Sequence, residues 1–469
     1  MKNIAKVWRS STAFLLSAFS FLILITSCNN ELDEALQPTG NGNLQFVVGD
    51  FPAFGEGTQT RAIGTQDEGK TAWADGDNIL VHLYSQKYGD QTVTLTFDAE
   101  NNTWESDGGT LSYLENETPT ITAVYAPDCE IKEGQIALQD GKQYGEAEYI
   151  LARTTISENS LDINFESGRT YSRLRIAGLA DQTLTVTTTD FTPAGANNFS
   201  PESGKEPQAE GSVTYTLTTD NNGNAFLYGV FAEGATVSVK QGDVVLKDYT
   251  FTAEKNPNGT EHNKSYALDA TPVIDGTLGG KAEATEDDIT ALVEQLKEYV
   301  DNGITTIIVP GSQPATIDMG LWINTAIGEA IYRLSKEDSY NGKIDLILPD
   351  VTEIFDQEFH SARALNSITL PKVTNLADQA FYGTLYLRTI TFGSVITEVN
   401  ELGAIFNQVG YNVGGCDLIL NCGQMNESNV PAPDLTNNIW KFKFENEFKS
   451  ITLTHTGENS ECDECKANQ

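Results

Sequence analysis

The chain is short of bases: 29 lysines and arginines face 66 acids, a formal charge of −37. Such a surface repels a phosphate backbone, so nucleic acid is excluded as a partner. Histidine is scarce too, at four residues: His82, His262, His360 and His455. None sits in an HExxH pair, and no GxSxG elbow is present, so those marks of a zinc protease and a serine hydrolase are missing. His82 alternates with apolar neighbours and is expected to face solvent. No enzyme is expected, and no cofactor or metal. Cysteine is sparse and uneven. Beyond Cys28 there remain Cys129, Cys416, Cys422, Cys462 and Cys465, an odd number that cannot all pair. Cys462 and Cys465 form a CxxC with no second pair at zinc spacing. Whether Cys416, Cys422, Cys462 and Cys465 form local disulfides or stay thiols is open at this stage.

A long apolar run is also lacking. The longest, Ala13 to Ile25, is too short to span a bilayer. Behind Lys2, Lys6 and Arg9 it reads as an export signal over 1–27. Gly64 to Thr71 fits the GxxxxGK[ST] expression, but the turn Ala74-Asp75-Gly76-Asp77 follows instead of a helix. Asp67 and Glu68 would repel phosphate, so the match is rejected. Asp220, Asn222 and Asn224 resemble half a calcium loop without its closing glutamate, and read as a hairpin turn.

What is present is β-pattern. Residues 43–270 lack long helical periodicity and are rich in threonine, valine and tyrosine. Ile79, Val81 and Leu83 alternate with Leu80 and His82, while Leu174 and Ile176, Leu184 and Val186, and Val237 and Val239 alternate with polar or small neighbours. Turns such as Asn222-Gly223 separate these runs. Antiparallel sandwiches are expected, with more chain than one needs and a boundary near 167–168. From residue 276 the pattern changes. Thr285 to Asp288 reads as a capping box ahead of a helix carrying Ile289, Leu292, Leu296 and Val300. Gly303 stops it, and a second helix carries Ile327, Ile331 and Leu334.

Lys343 to Ser394 then repeats with a 22-residue period: Leu348 returns as Leu370 and Phe392, Phe359 as Phe381, Leu365 as Leu387, Ile368 as Ile390. A fixed period with apolar residues at fixed phases implies units that bury their faces only by stacking. Six strands are expected, centred on Ile307, Leu346, Ile368, Ile390, Leu418 and Ile451. Ser367, Thr369, Thr389, Thr391, Ser450 and Thr452 alternate with this ladder and face outward. Asn366, Arg388 and Lys449 flank them. These nine residues are the candidate ligand face.

Four resemblances add to this reading. Ile25-Thr26-Ser27-Cys28 resembles the lipobox of bacterial lipoproteins, which implies lipidation of Cys28 and a membrane anchor. The acids Glu31, Asp33 and Glu34 resemble a surface-export signal. Thr60-Arg61-Ala62 with Trp73-Ala-Asp75-Gly-Asp77, then Tyr125-Ala-Pro127, Ser172-Arg-Leu174-Arg and Lys264-Ser-Tyr266-Ala-Leu268, resemble the fimbrillin family, including its Mfa-like group. That family implies two transthyretin-like sandwiches, cleavage after Arg61, and assembly by strand donation into the groove the cut opens. Here the chain continues for about 200 residues past the second sandwich, which suits a tip or accessory component. Leu370-Pro-Lys-Val-Thr-Asn-Leu376 with Ala380-Phe381 resembles BspA-type leucine-rich repeats of surface proteins.

The expected fold is multidomain: two all-β transthyretin-like sandwiches followed by a short α/β leucine-rich-repeat solenoid. A signal peptide (1–27) and a tether or propeptide (28–60) precede sandwiches over 61–168 and 169–274. The repeat region covers 275–456 and a polar tail 457–469. The expected role is a surface-exposed, outer-membrane lipoprotein that binds a protein or glycan. The rivals are a pilus subunit associating with other fimbrial subunits, and a glycan-binding lipoprotein of an uptake system using Tyr382 and Tyr386.

Overall fold

The computed structural model describes residues 45–454, apart from breaks at 57–69, 115–116, 133–134, 158–159, 167–168, 195–209, 255, 257, 277, 279–280, 282, 312–314, 318–322, 400–404 and 422–447. The signal peptide, Cys28, Arg61, Cys422, Cys462, Cys465, the polar tail and the acidic part of the rejected nucleotide motif lie outside the described residues. The described chain is mostly β-sheet. Its strands are β1 (Gln45–Val48), β2 (Gly55–Glu56), β3 (Asn78–Ser85), β4 (Gly89–Asp98), β5 (Thr103–Ser106), β6 (Thr120–Tyr125), β7 (Cys129–Lys132), β8 (Gln135–Leu138) and β9 (Ile150–Leu151). There follow β10 (Arg153–Ser157), β11 (Ser160–Asn164), β12 (Ser172–Ala177), β13 (Thr183–Pro193), β14 (Glu210–Thr218), β15 (Asn224–Phe231), β16 (Thr236–Gln241), β17 (Val244–Thr250) and β18 (Lys264–Asp269).

The first core lies between a sheet of order β5-β4-β3-β6-β9 and a smaller one, β1-β11-β10. Alternation on β3 and β4 turns Ile79, Val81, Leu83, Val93 and Leu95 inward onto Leu161 and Ile163 of β11. The expectation for His82 fails. It is 1% exposed, and its Nε2 lies 2.9 Å from Asp90 Oδ1. The cause is a second apolar layer on the far side of β3, where Leu80, Val124 and Ala126 pack with Cys129 and Tyr149. Alternation predicts exposure only when one face of a sheet meets water.

The second core is wrapped by one eight-stranded sheet, β17-β16-β13-β15-β12-β18-β2, with β14 on the side of β13. The long strand β13 serves both layers. Thr185 to Thr188 pair with β16, whereas Phe191 to Pro193 pair with β15. Between them Asp190 takes a positive φ of 49°, an irregularity that bends the strand across the corner. The expected hairpin forms: Asp220 Oδ1 accepts from the backbone N–H of Asn222 (2.8 Å) and Asn224 (2.9 Å), and Gly223 has φ 77°.

The pairing is not purely antiparallel as expected. β1 runs parallel to β11, and β18 runs parallel to both β12 and β2. The expectation of a tether over 28–60 is corrected for its described part. Residues 45–56 supply one strand to each sheet system, and Phe51 and Phe54 are buried. Phe46, Val48, Phe51 and Phe54 bring enough apolar area to hold this segment down.

The third core belongs to a six-stranded parallel sheet: β19 (Thr306–Ile308), β20 (Ile344–Ile347), β22 (Leu365–Leu370), β24 (Thr389–Phe392), β26 (Asp417–Asn421) and β27 (Ser450–Thr454). A second ladder of two-residue strands, β21 (Glu353–Ile354), β23 (Asn375–Leu376) and β25 (Glu398–Val399), closes the turns. Two helices stand at the start, α1 (Glu286–Asp301) and α2 (Ala326–Leu334). The capping box forms as read: Thr285 accepts from the Asp288 N–H, and Asp288 accepts from that of Thr285. Ile289, Leu292, Leu296 and Tyr299 face the core. Between the strands, Phe359, Phe381 and Phe406 stack at 5.7 Å steps. At the near end, Val273 pairs with Ile308, so the linker from the second sheet covers the outer edge of β19.

Candidate functional site

The site is built from strand register. Ile307, Leu346, Ile368, Ile390, Leu418 and Ile451 stand side by side, the first five fully buried and Ile451 partly so. Their neighbours therefore point outward in two columns. One runs Thr306, Asp345, Ser367, Thr389, Asp417 and Ser450; the other runs Ile308, Ile347, Thr369, Thr391, Ile419 and Thr452. All are half-buried except the exposed Thr452. At the usual strand spacing each column spans about 24 Å. Arg388 and Lys449 stand exposed at their strand starts, and Asn366 is half-buried beside them.

Register brings together residues that the sequence reading did not list. Asp345 Oδ1 accepts from Asn366 Nδ2 (2.7 Å) and Ser367 Oγ (2.6 Å). Asp417 Oδ1 accepts from Ser450 Oγ (2.6 Å), while Lys449 Nζ lies 3.4 Å from Asp417 Oδ2. The Ser450 hydroxyl, then Lys449, hold the Asp417 carboxyl below its ordinary range. Asp417 is therefore ionised at neutral pH. Four of the nine named residues, Asn366, Ser367, Lys449 and Ser450, thus donate into protein carboxylates, and what the three uncharged ones leave for a ligand is acceptor oxygen. The same alternation rule applied to β20 and β26 reaches Asp345 and Asp417.

The face is a row of fixed acceptors, two cations and three isoleucines. It can hold hydroxyl-bearing or cationic groups. Among the described residues, no group of three histidine, cysteine or acidic side chains is placed to hold a metal. Cys129 and Cys416 are thiols, each pushed up to about 12 mainly by burial. On the turns behind the face, Tyr382 stacks on His360 at 5.0 Å and 10° between planes. Tyr382 and Tyr386 are both half-buried.

No protein-family model matches the sequence, and no curated protein matches it. Among solved structures, one neighbour is a Bacteroides uniformis protein provisionally described as a cell adhesion protein. It is 15% identical over 50% of this chain and 94% of that one, with a TM-score of 0.31. A fimbrial protein from Bacteroides ovatus is 8% identical over 53% of this chain and 56% of that one, at 0.23. The minor pilin of Streptococcus agalactiae is 10% identical over 49% of this chain and 94% of that one, at 0.16. Superpositions this loose fix neither fold nor role, so the functional reading rests on this chain's own residues.

Proposed function

We propose that this chain is a surface-displayed lipoprotein, anchored through Cys28, that binds a protein or glycan ligand and catalyses no reaction. The stack is read as a leucine-rich-repeat solenoid of the BspA type, carried on two fimbrillin-like sandwiches. The observation that carries the reading is the pair of outward columns held in register across six strands. A rigid row of acceptors repeating at strand spacing suits an extended ligand bearing hydroxyls or basic groups. The acidic balance of the chain favours the basic ligands among these through long-range attraction. The test is retention of protein-coated beads on an array of extracellular-matrix proteins and glycans. Thr389→Lys with Thr391→Lys sets two cations against the acceptors at the centre of the face without touching the core. Loss of retention is expected, and undiminished retention on every surface that holds the parent protein would sink the proposal.

A second reading, a pilus subunit, is favoured by one observation. The residues ahead of Arg61 supply β1 to one sheet and β2 to another. After a cut at Arg61, departure of that segment would free both positions for strands from another subunit. The mature amino terminus decides between the readings. Lipidated Cys28 supports the anchored protein; Ala62, with SDS-resistant ladders, supports the subunit.

A further inference from the structure

The joint between the first two cores contains an arginine with almost no access to water. The Arg169 side chain is 1% exposed, and that of its partner Glu148 is 11% exposed. Arg169 donates to Glu148 Oε1 from Nε at 3.2 Å and from a terminal nitrogen at 2.6 Å. Its other terminal nitrogen donates to the Pro52 carbonyl. The guanidinium centre lies 3.7 Å from the centroid of the Phe54 ring and 5.4 Å from that of Phe51. Arg173 approaches Phe54 as well, at 4.8 Å. Tyr171 packs edge-on to Phe54 at 6.4 Å and donates to Glu148 at 3.4 Å.

Burying an ion pair costs several kcal/mol per ion unless its remaining hydrogen bonds are made. Here part of that completion comes from one short stretch, Phe51 to Phe54. The stretch supplies a carbonyl for the free edge of the guanidinium and aromatic faces for its plane, the two surfaces an arginine uses for recognition. We propose that Arg169, Arg173 and Glu148 form a peptide-binding site that reads an extended aromatic-proline-x-aromatic segment. Its occupant is this chain's own Phe51-Pro52-Ala53-Phe54, and binding does not depend on the covalent link to the body. The flanking ladders, β1 on β11 and β2 on β18, align the segment, and the clamp selects its side chains. The inference depends neither on the surface-binding reading nor on a cut at Arg61 in the cell.

The test uses the full chain with a sequence-specific protease site in place of residues 62–68 and a dye on the amino-terminal fragment. After cutting, the fragment is expected to co-elute with the body in gel filtration. Excess peptide spanning 45–56 should displace it. Peptides carrying Phe54→Ala or Phe54→Leu should need on the order of tenfold more, the leucine version because it keeps bulk but loses the ring face. Arg169→Met in the body should release the fragment at least about tenfold faster. If that variant does not fold, the peptide series on the unaltered body decides. Release of the fragment as soon as the parent chain is cut, or equal competition by the parent and Phe54→Ala peptides, would overturn the proposal.

Discussion

The parallel stack and the paired sandwiches are held together in different ways. In the stack a buried side chain meets the equivalent one in the next copy: Phe381 lies between Phe359 and Phe406, and Ile390 between Ile368 and Leu418. Its contacts are near in sequence and repeat. In the sandwiches the partners are distant and unlike. Phe51 meets Trp73 at 4.9 Å and Tyr125 at 5.5 Å, and the Arg169 contact to Pro52 spans 117 positions. A stack behaves as nearest-neighbour units, so damage there stays within a few repeats. The sandwiches depend on closing long loops, so one segment can govern strands far from it.

The largest expected effects test this directly. Phe51→Ala removes a ring that is 6% exposed and fits among Trp73, Tyr125 and Arg169. A loss of about 3–5 kcal/mol is expected. Segment-resolved hydrogen exchange should show it in β3, β4, β11 and β18 together, with β22 and β24 still protected. Phe381→Ala should cost a similar amount, because it empties a site between two rings. Its loss of protection should be confined to β20 through β26. Uniform loss across the molecule from either change would mean that the cores form one cooperative unit.

The same contrast governs what could be read in advance. Ile307, Leu346, Ile368, Ile390, Leu418 and Ile451 were identifiable as one row because each strand repeats a short apolar alternation. Only the middle steps obey the 22-residue period, yet the register holds across the longer ones. The sandwich strands were legible as strands, but not their partners. Segment 45–56 reads as a tether because Gly49, Pro52 and Gly55 break its apolar pattern. The residues that hold it, Ile163, Arg169 and Lys264, lie more than a hundred positions away. His82 was misplaced for a related reason: strand alternation carries no mark of the second apolar layer on β3. Alternation marks Asp345, in the first regular copy, and Asp417, in a longer unit, as outward-facing at the same phase as Ser367, Thr389 and Ser450.

The smaller effect concerns a position where the repeat pattern is broken. Glu358 occupies the place of Ala380 in the next copy and is fully buried. It sits against the start of α2, where its carboxylate accepts from the Thr325 hydroxyl at 3.1 Å and the Phe355 N–H at 2.9 Å. Thr325 in turn caps the helix through the Gly328 N–H at 3.2 Å. Burial pushes the carboxyl up from 4.5 to about 7, with Glu353 adding a little and the two hydrogen bonds opposing. The raised value means that ionisation is harder in the fold than in the unfolded chain. The stability this residue allows is therefore complete below pH 4.5 and is lost as pH rises toward 7. Glu358→Gln keeps the shape and removes the charge. It should match the parent protein below pH 4.5 and exceed it by on the order of 3 kcal/mol at pH 8. Denaturant midpoints followed by exchange in α2 and β22 would check this. Curves for the two proteins that stay parallel from pH 4 to pH 8 would show that the Glu358 carboxylate is solvated in the fold, and that helix and repeats meet more loosely than Phe359 meets Phe381.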